Sequence, residues 1–136
     1  MPILAAIDND PGCENVVRTA HEMGEKMDHP VVVLYIVPEG DDPDRAEDAI
    51  RDLVESAVGT TEGIEIRVVP EHAHRDLPTG RIAQNILTVA EDIDPDYLVI
   101  GSRKRTPIGK VILGSVSQLI LSNAEVPVVT VEQTKG

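Results

Sequence analysis

Hydrophobic positions along this chain fall into two alternating patterns. Ile3–Ile7, Val31–Val37, Tyr97–Ile100 and Val126–Val131 are short continuous apolar runs rich in β-branched residues, the pattern of strands buried on both faces. The stretch Ile64-Glu65-Ile66-Arg67-Val68 instead alternates apolar and charged positions, as a half-exposed strand at a sheet edge does. Pro127 lies in the last run and has no N–H to give a ladder, which places that strand at an edge too. Helix-period stripes separate the runs: Val16, Ala20, Met23 and Met27; then Ala46, Ala49, Ile50, Leu53 and Ala57; then Ile82, Ile86, Val89 and Ile93. A fourth stripe runs from Val111 and Ile112 through Val116, Leu119, Ile120 and Asn123. Asp10-Pro11 and Asp42-Pro43 each set a capping side chain before a proline suited to a first helical turn. Asp41/Arg45 and Glu47/Arg51 stand i,i+4 with the acid first, the favourable order on a helix.

The order is therefore strand–helix, four times over, closed by a fifth strand. Strict alternation with crossover helices predicts a parallel sheet covered on both faces, with right-handed crossovers. The expected fold is an α/β three-layer sandwich, one domain over residues 1–136. With the third and fifth strands at the edges, the strand order is 3-2-1-4-5. Chain direction reverses between the first and fourth strands, and ligands of such sheets bind outside the carboxyl ends at that reversal. Topology thus selects two loops: Asp8-Asn9-Asp10, and Gly101-Ser102-Arg103.

Composition narrows the partners. The 136 residues carry 24 acids against 12 bases, a formal net charge of −12. An acidic surface repels phosphate backbones and anionic lipid, so neither nucleic acid nor membrane is an expected partner. Hydrophobic residues make up 41% of the chain, enough for a folded core despite the charge. Only four of the bases are lysines, which points to a high-salt cytoplasm, where a Debye length of about 3 Å at 1 M would screen self-repulsion. Cys13 is the single cysteine, so no intrachain disulfide or cysteine-rich metal site is available. The first residues have no basic segment and their apolar run is short, unlike a signal peptide or membrane span; a cytoplasmic address is expected.

The stretch from Gly101 to Ser115 holds most of the candidate chemistry. Arg103, Lys104, Arg105 and Lys110 put four of the twelve bases within eight residues. On so acidic a chain this suggests an anionic partner, or pairing with the protein's own acids or another subunit. Gly114-Ser115 stands where a helix begins, and free N–H groups with the helix dipole suit a phosphate there. A phosphate-binding loop of the Walker type is excluded: it needs glycine at 104 and Ser or Thr at 111, which are Lys and Val. The segment after the first strand, Asp8-Asn9-Asp10-Pro11-Gly12, has a single glycine and is no dinucleotide fingerprint.

The pattern Gly101-x2-Lys104-x9-Gly114-Ser115, followed by Val116 and Val126-Pro127-Val128-Val129, resembles the carboxyl-terminal signature of the universal stress protein family. The usual form there is Gly-x2-Gly-x9-Gly-Ser/Thr. A first strand ending in Asp8 and a second reading Val-Val-Val-Leu-Tyr-Ile-Val extend the similarity over essentially the whole chain. The resemblance implies a homodimer paired through the last strand (Val126–Val131) and, in one branch of the family, ATP or AMP bound in the crevice between the first and fourth strands. Asp8 and Ile36 would then lie on the adenine side, Gly101 and Lys104 near ribose and phosphates, and Gly114, Ser115, Val116 and Ser117 at the phosphates. Lys104 departs from the family. Its glycine allows positive φ and close approach to ligand, whereas lysine in a left-handed conformation costs about 1–2 kcal/mol. The lysine swings out and adds charge to a phosphate, or the loop changes shape, or nucleotide binding is lost.

Other signals are weaker. His72 and His74 lack a third metal ligand at a recognisable spacing and read as exposed loop residues; His21 and His29 are isolated. Cys13 opens a helix but has no resolving partner and reads as structural. Asp10 reads as a helix cap. Two function classes follow: a stress-response protein that binds an adenine nucleotide and signals through dimer contacts, or a non-nucleotide interaction module whose Arg103-Lys104-Arg105 loop docks acidic surfaces. ATP hydrolysis, at most weak, rests on fold analogy alone, and no catalytic residue is assigned.

Overall fold

Strands and helices alternate through the computed structural model, which describes residues 2–8, 12–71, 81–102 and 114–132. In chain order they are β1 (Ile3–Ile7), α1 (Cys13–Met27), β2 (Val31–Val37), α2 (Pro43–Val58), β3 (Ile64–Pro70), α3 (Arg81–Ile93), β4 (Tyr97–Ser102), α4 (Ser115–Asn123) and β5 (Val128–Glu132). All strand pairs are parallel and the sheet order is β3-β2-β1-β4-β5, as the two inferred edges require.

Every residue of β1 and β2 is buried, because alternate side chains meet helices on opposite faces. Ile3, Ala5, Ile7, Val31, Val33, Tyr35 and Val99 pack with Val16, Val17 and Ala20 of α1 and with Ile50 and Val54 of α2. Leu4, Ala6, Leu34, Ile36, Leu98 and Ile100 pack with Ala83, Ile86, Val89 and Ala90 of α3 and with Ile120 of α4. These two apolar layers supply most of the burial that offsets chain entropy. Met27 and Ile82, at the ends of their stripes, are 38% and 37% exposed, and Leu119, in the middle of α4 and counted in the fourth stripe, is 40% exposed and does not face the core.

The helix starts differ in how they are fixed. Asp42 caps α2, its Oδ1 accepting from the Asp44 N–H at 3.0 Å with Pro43 in the first turn. Helix α1 begins at Cys13, later than the Asp10-Pro11 signal suggests. Its capping residue is Gly12, in the left-handed region at φ 92° with no side-chain cap bond. Asp10 lies outside the described residues. Glu47–Arg51 is an ion pair at 3.5 Å. At the far edge, Pro127 precedes β5 rather than interrupting it, and its carbonyl accepts from Leu98 N–H at 2.9 Å. Proline there contributes the acceptor it has and forgoes only the donor it lacks.

The amino end of the sheet is closed by direct bonds. Ile3 N–H donates to Pro30 O (2.9 Å), Asp96 N–H donates to Pro2 O (3.0 Å), and His29 Nε2 lies 3.0 Å from Asp96 Oδ2. The turns before β2 and β4 are thereby tied together across the start of β1. Gly24 makes this end tight: a Cβ there would stand 2.7 Å from Val31 Cγ2 and 2.8 Å from the His29 carbonyl oxygen. Gly24→Ala is expected to lower the thermal midpoint. Crowding costs about 1–3 kcal/mol and outweighs the roughly 1 kcal/mol of helix propensity that alanine brings.

Candidate functional site

The candidate site lies at the opposite, carboxyl end of the sheet, at the ends of the neighbouring strands β1 and β4. Register pairs Ala6 with Ile100 and Ile7 with Tyr35, so Asp8 emerges level with the last residues of both neighbouring strands. Asp8 is exposed. Ile36, one step beyond Tyr35, is 4% exposed and packs among the apolar residues facing α3 and α4. Its side chain is part of that buried layer. On the other side, Gly101 and Ser102 end β4, paired with Val131 and Glu132 of β5.

Helix α4 begins at this same end. Gly114 is extended (φ −70°, ψ 167°) and no side chain caps the helix. The Gln118 N–H donates to Gly114 O at 3.0 Å, which leaves the N–H groups of Ser115, Val116 and Ser117 without an acceptor inside the helix. Three such donors at the positive end of a helix dipole form a site for an anion. Ser117 fixes their position. Its side chain is buried and its hydroxyl donates to Gly101 O at 2.8 Å, tying the first turn of α4 to the end of β4. The hydroxyl hydrogen is committed to that carbonyl, so the backbone N–H is the donor that Ser117 presents to an anion.

Of the residues singled out in the sequence, Asp8, Gly101, Gly114, Ser115, Val116 and Ser117 lie at this end of the sheet with Ile36 beneath. Lys104, with Arg103, Arg105 and Lys110, lies outside the described residues, as do His72 and His74. Among the described residues no group of three His, Cys, Asp or Glu is placed to hold a metal ion. Cys13 is buried and is in no disulfide.

Two further polar residues carry no motif in the sequence. Asn85 of α3 is, with Ser117, one of two buried polar residues among those described; it interrupts an otherwise apolar stripe between Ile82 and Ile86. Asn15 of α1 donates from Nδ2 to Glu132 O at the end of β5, at 3.3 Å.

The model of the universal stress protein family matches residues 1–132. This chain belongs to that family. A curated family member from Mycolicibacterium smegmatis is 43% identical over 49 residues, 36% of this chain and 38% of that protein, so the match spans well under half of that relative's length. A universal stress protein structure from Archaeoglobus fulgidus aligns with a TM-score of 0.70 at 27% identity, covering 96% of this chain and 97% of that one. A universal stress protein in complex with cAMP aligns with a TM-score of 0.71 at 17% identity over 98% of each chain. A second Archaeoglobus fulgidus structure, in complex with dAMP, gives 0.64 at 21% identity over 96% of each. At such identities the last two establish shared architecture. No helix among the described residues is long and apolar enough to cross a membrane.

Proposed function

We propose that this universal stress protein binds an adenine nucleotide, ATP or AMP, in the crevice between β1 and β4. The observation that carries the reading is the start of α4, three N–H donors held to the end of β4 by the Ser117–Gly101 bond. Family members of the same fold in complex with cAMP and dAMP support it. In this reading Asp8 and Ile36 border the base, Gly101 lies under the ribose, and Gly114, Ser115, Val116 and Ser117 receive the phosphates through backbone N–H groups. Lys104 adds a cation to the phosphates in place of the glycine usual in the family. The chain then acts in the cytoplasm as a nucleotide-responsive regulator, paired with a second copy through β5, rather than as a fast enzyme.

Calorimetric titration with ATP and AMP, in molar salt to screen the −12 charge, tests this. Saturable heat with one nucleotide per chain is the expected result. No heat at millimolar nucleotide overturns the reading and leaves the interaction module, with Lys104 as the departure that abolishes binding.

A further inference from the structure

A cavity of about 430 Å³ lies between the end of β2 and the start of α2, within the range of small-molecule sites, roughly 300–1,000 Å³. Its lining includes the buried Tyr35 and Ile50, the half-buried Ala46, and the exposed Asp41, Asp42 and Arg45. Tyr35 and Ile50 belong to the apolar layer shared with α1 and α2, whereas Ile36 and Ile120 of α4 belong to the other layer. The cavity therefore lies on the sheet face away from α4, apart from the crevice proposed for the nucleotide.

Arg45 sets this cavity apart. Arg18, Lys26, Arg51 and Arg67 each have a hydrogen-bond or ion-pair partner. Among the described residues, Arg45 is the one arginine or lysine side chain without one. The Asp41–Arg45 pair expected from the sequence does not form. Helix α2 starts at Pro43 with Asp42 as its cap, so Asp41 stands outside the helix and the i,i+4 geometry does not reach it. The Asp41 N–H donates to Pro38 O at 3.1 Å, in the turn that Gly40 makes at φ 93°. On the other side, the i+4 position is Ala49, which has no acceptor to offer. A guanidinium with all its donors uncommitted thus lines an apolar cavity beside two carboxylates.

That arrangement selects by charge. A simple anion would meet Arg45 favourably but be repelled by Asp41 and Asp42, and a simple cation would meet the reverse. A molecule carrying both charges a few atoms apart satisfies all three groups, since Asp42 and Arg45 are the cap and third residue of one helical turn. Guanidinium pairs with carboxylate through two parallel N–H bonds, and an aspartate accepts from an ammonium. Tyr35, Ala46 and Ile50 leave an apolar surface for a hydrocarbon substituent.

We propose that this cavity binds a small zwitterion, an aliphatic amino acid. Its carboxylate rests on the Arg45 guanidinium, its ammonium on Asp41 and Asp42, and its side chain against Tyr35 and Ile50. The site does not depend on the nucleotide reading.

The test is an NMR titration of the full, nitrogen-15-labelled chain, following the Gly40 amide and the Arg45 Nε–H. The probes are L-leucine, N-acetyl-leucine, which lacks the ammonium, and leucine amide, which lacks the carboxylate. L-leucine is expected to give saturable shifts at both groups, and each analogue to bind about three- to tenfold more weakly, the scale of one partly exposed charged contact. Arg45→Gln, at an exposed side chain with no partner to lose, should weaken L-leucine by a similar factor while leucine amide binds as before. That contrast separates a carboxylate contact from a general change in the fold. No saturable shift with L-leucine overturns the proposal. So does N-acetyl-leucine binding as well as L-leucine, which would make this an anion site, or an Arg45→Gln chain that keeps the wild-type preference for L-leucine over its amide.

Discussion

Ser115→Pro is expected to leave the fold intact and to weaken nucleotide binding by about 10- to 100-fold, the loss of one hydrogen bond to a charged group. Ser115 is the first residue of α4 and is exposed. Proline is at home in that position, because its missing N–H has no acceptor within the helix and its fixed φ suits the first turn. Gly114 is already extended at φ −70° and ψ 167°, the conformation that a residue before proline prefers. The substitution thus deletes one N–H donor and little else. Ser115→Ala, which keeps the N–H and removes only the hydroxyl, should bind nearly as the wild type does. Calorimetry with ATP and a parallel thermal melt decide the matter. Wild-type affinity in a well-folded Ser115→Pro chain would mean that no phosphate rests on α4.

Leu34→Ala is expected to destabilise the fold by about 2–5 kcal/mol, the range for emptying a fully buried leucine site. Leu34 is wholly inaccessible and belongs to the layer that β1, β2 and β4 share with α3 and α4. It lies between Ala6 of β1 and Arg67 of β3 in register. Alanine at Ala6 cannot reach into the space left behind, and neighbours fixed in a parallel ladder relax little. Denaturant unfolding should show a lower midpoint with an unchanged slope. Leu34→Met, which conserves volume, should cost less than about 1.5 kcal/mol.

The sheet was legible in the sequence because the three strands buried on both faces are continuous apolar runs, while β3 alternates and the apolar run of β5 carries a proline. Ile64-Glu65-Ile66-Arg67 and Pro127 named the two edges, and the reversal between β1 and β4 followed from them. Helix α2 was legible from Asp42-Pro43, whose side chain makes the expected cap bond. Helix α1 was misjudged at its start, because Gly12 turns the chain through its own left-handed backbone and leaves no cap-forming side chain as a signal. Of the candidate site, the start of a helix at the glycine and serine of 114 and 115 could be read from motif and topology. The Ser117 hydroxyl could not: its acceptor is a backbone carbonyl, which no residue type announces. Asn15 and Glu132 stand 117 positions apart, and His29 meets Asp96 across β1. Polar contacts of that kind have no period, so only the folded chain brings them together.

The two margins of the sheet are unequally defended. On β3 the Arg67 guanidinium reaches Glu65 at 2.7 Å and the strand ends in Pro70, features that discourage another chain from adding to a sheet edge. The five residues of β5 include no proline and no lysine. Were two copies to associate by strand addition, β5 is the less defended margin, and contact through the same margin on both partners would be self-complementary and stop at two copies. Open-ended growth through both margins would require β3 to accept a new strand beside its Glu65–Arg67 pair and Pro70.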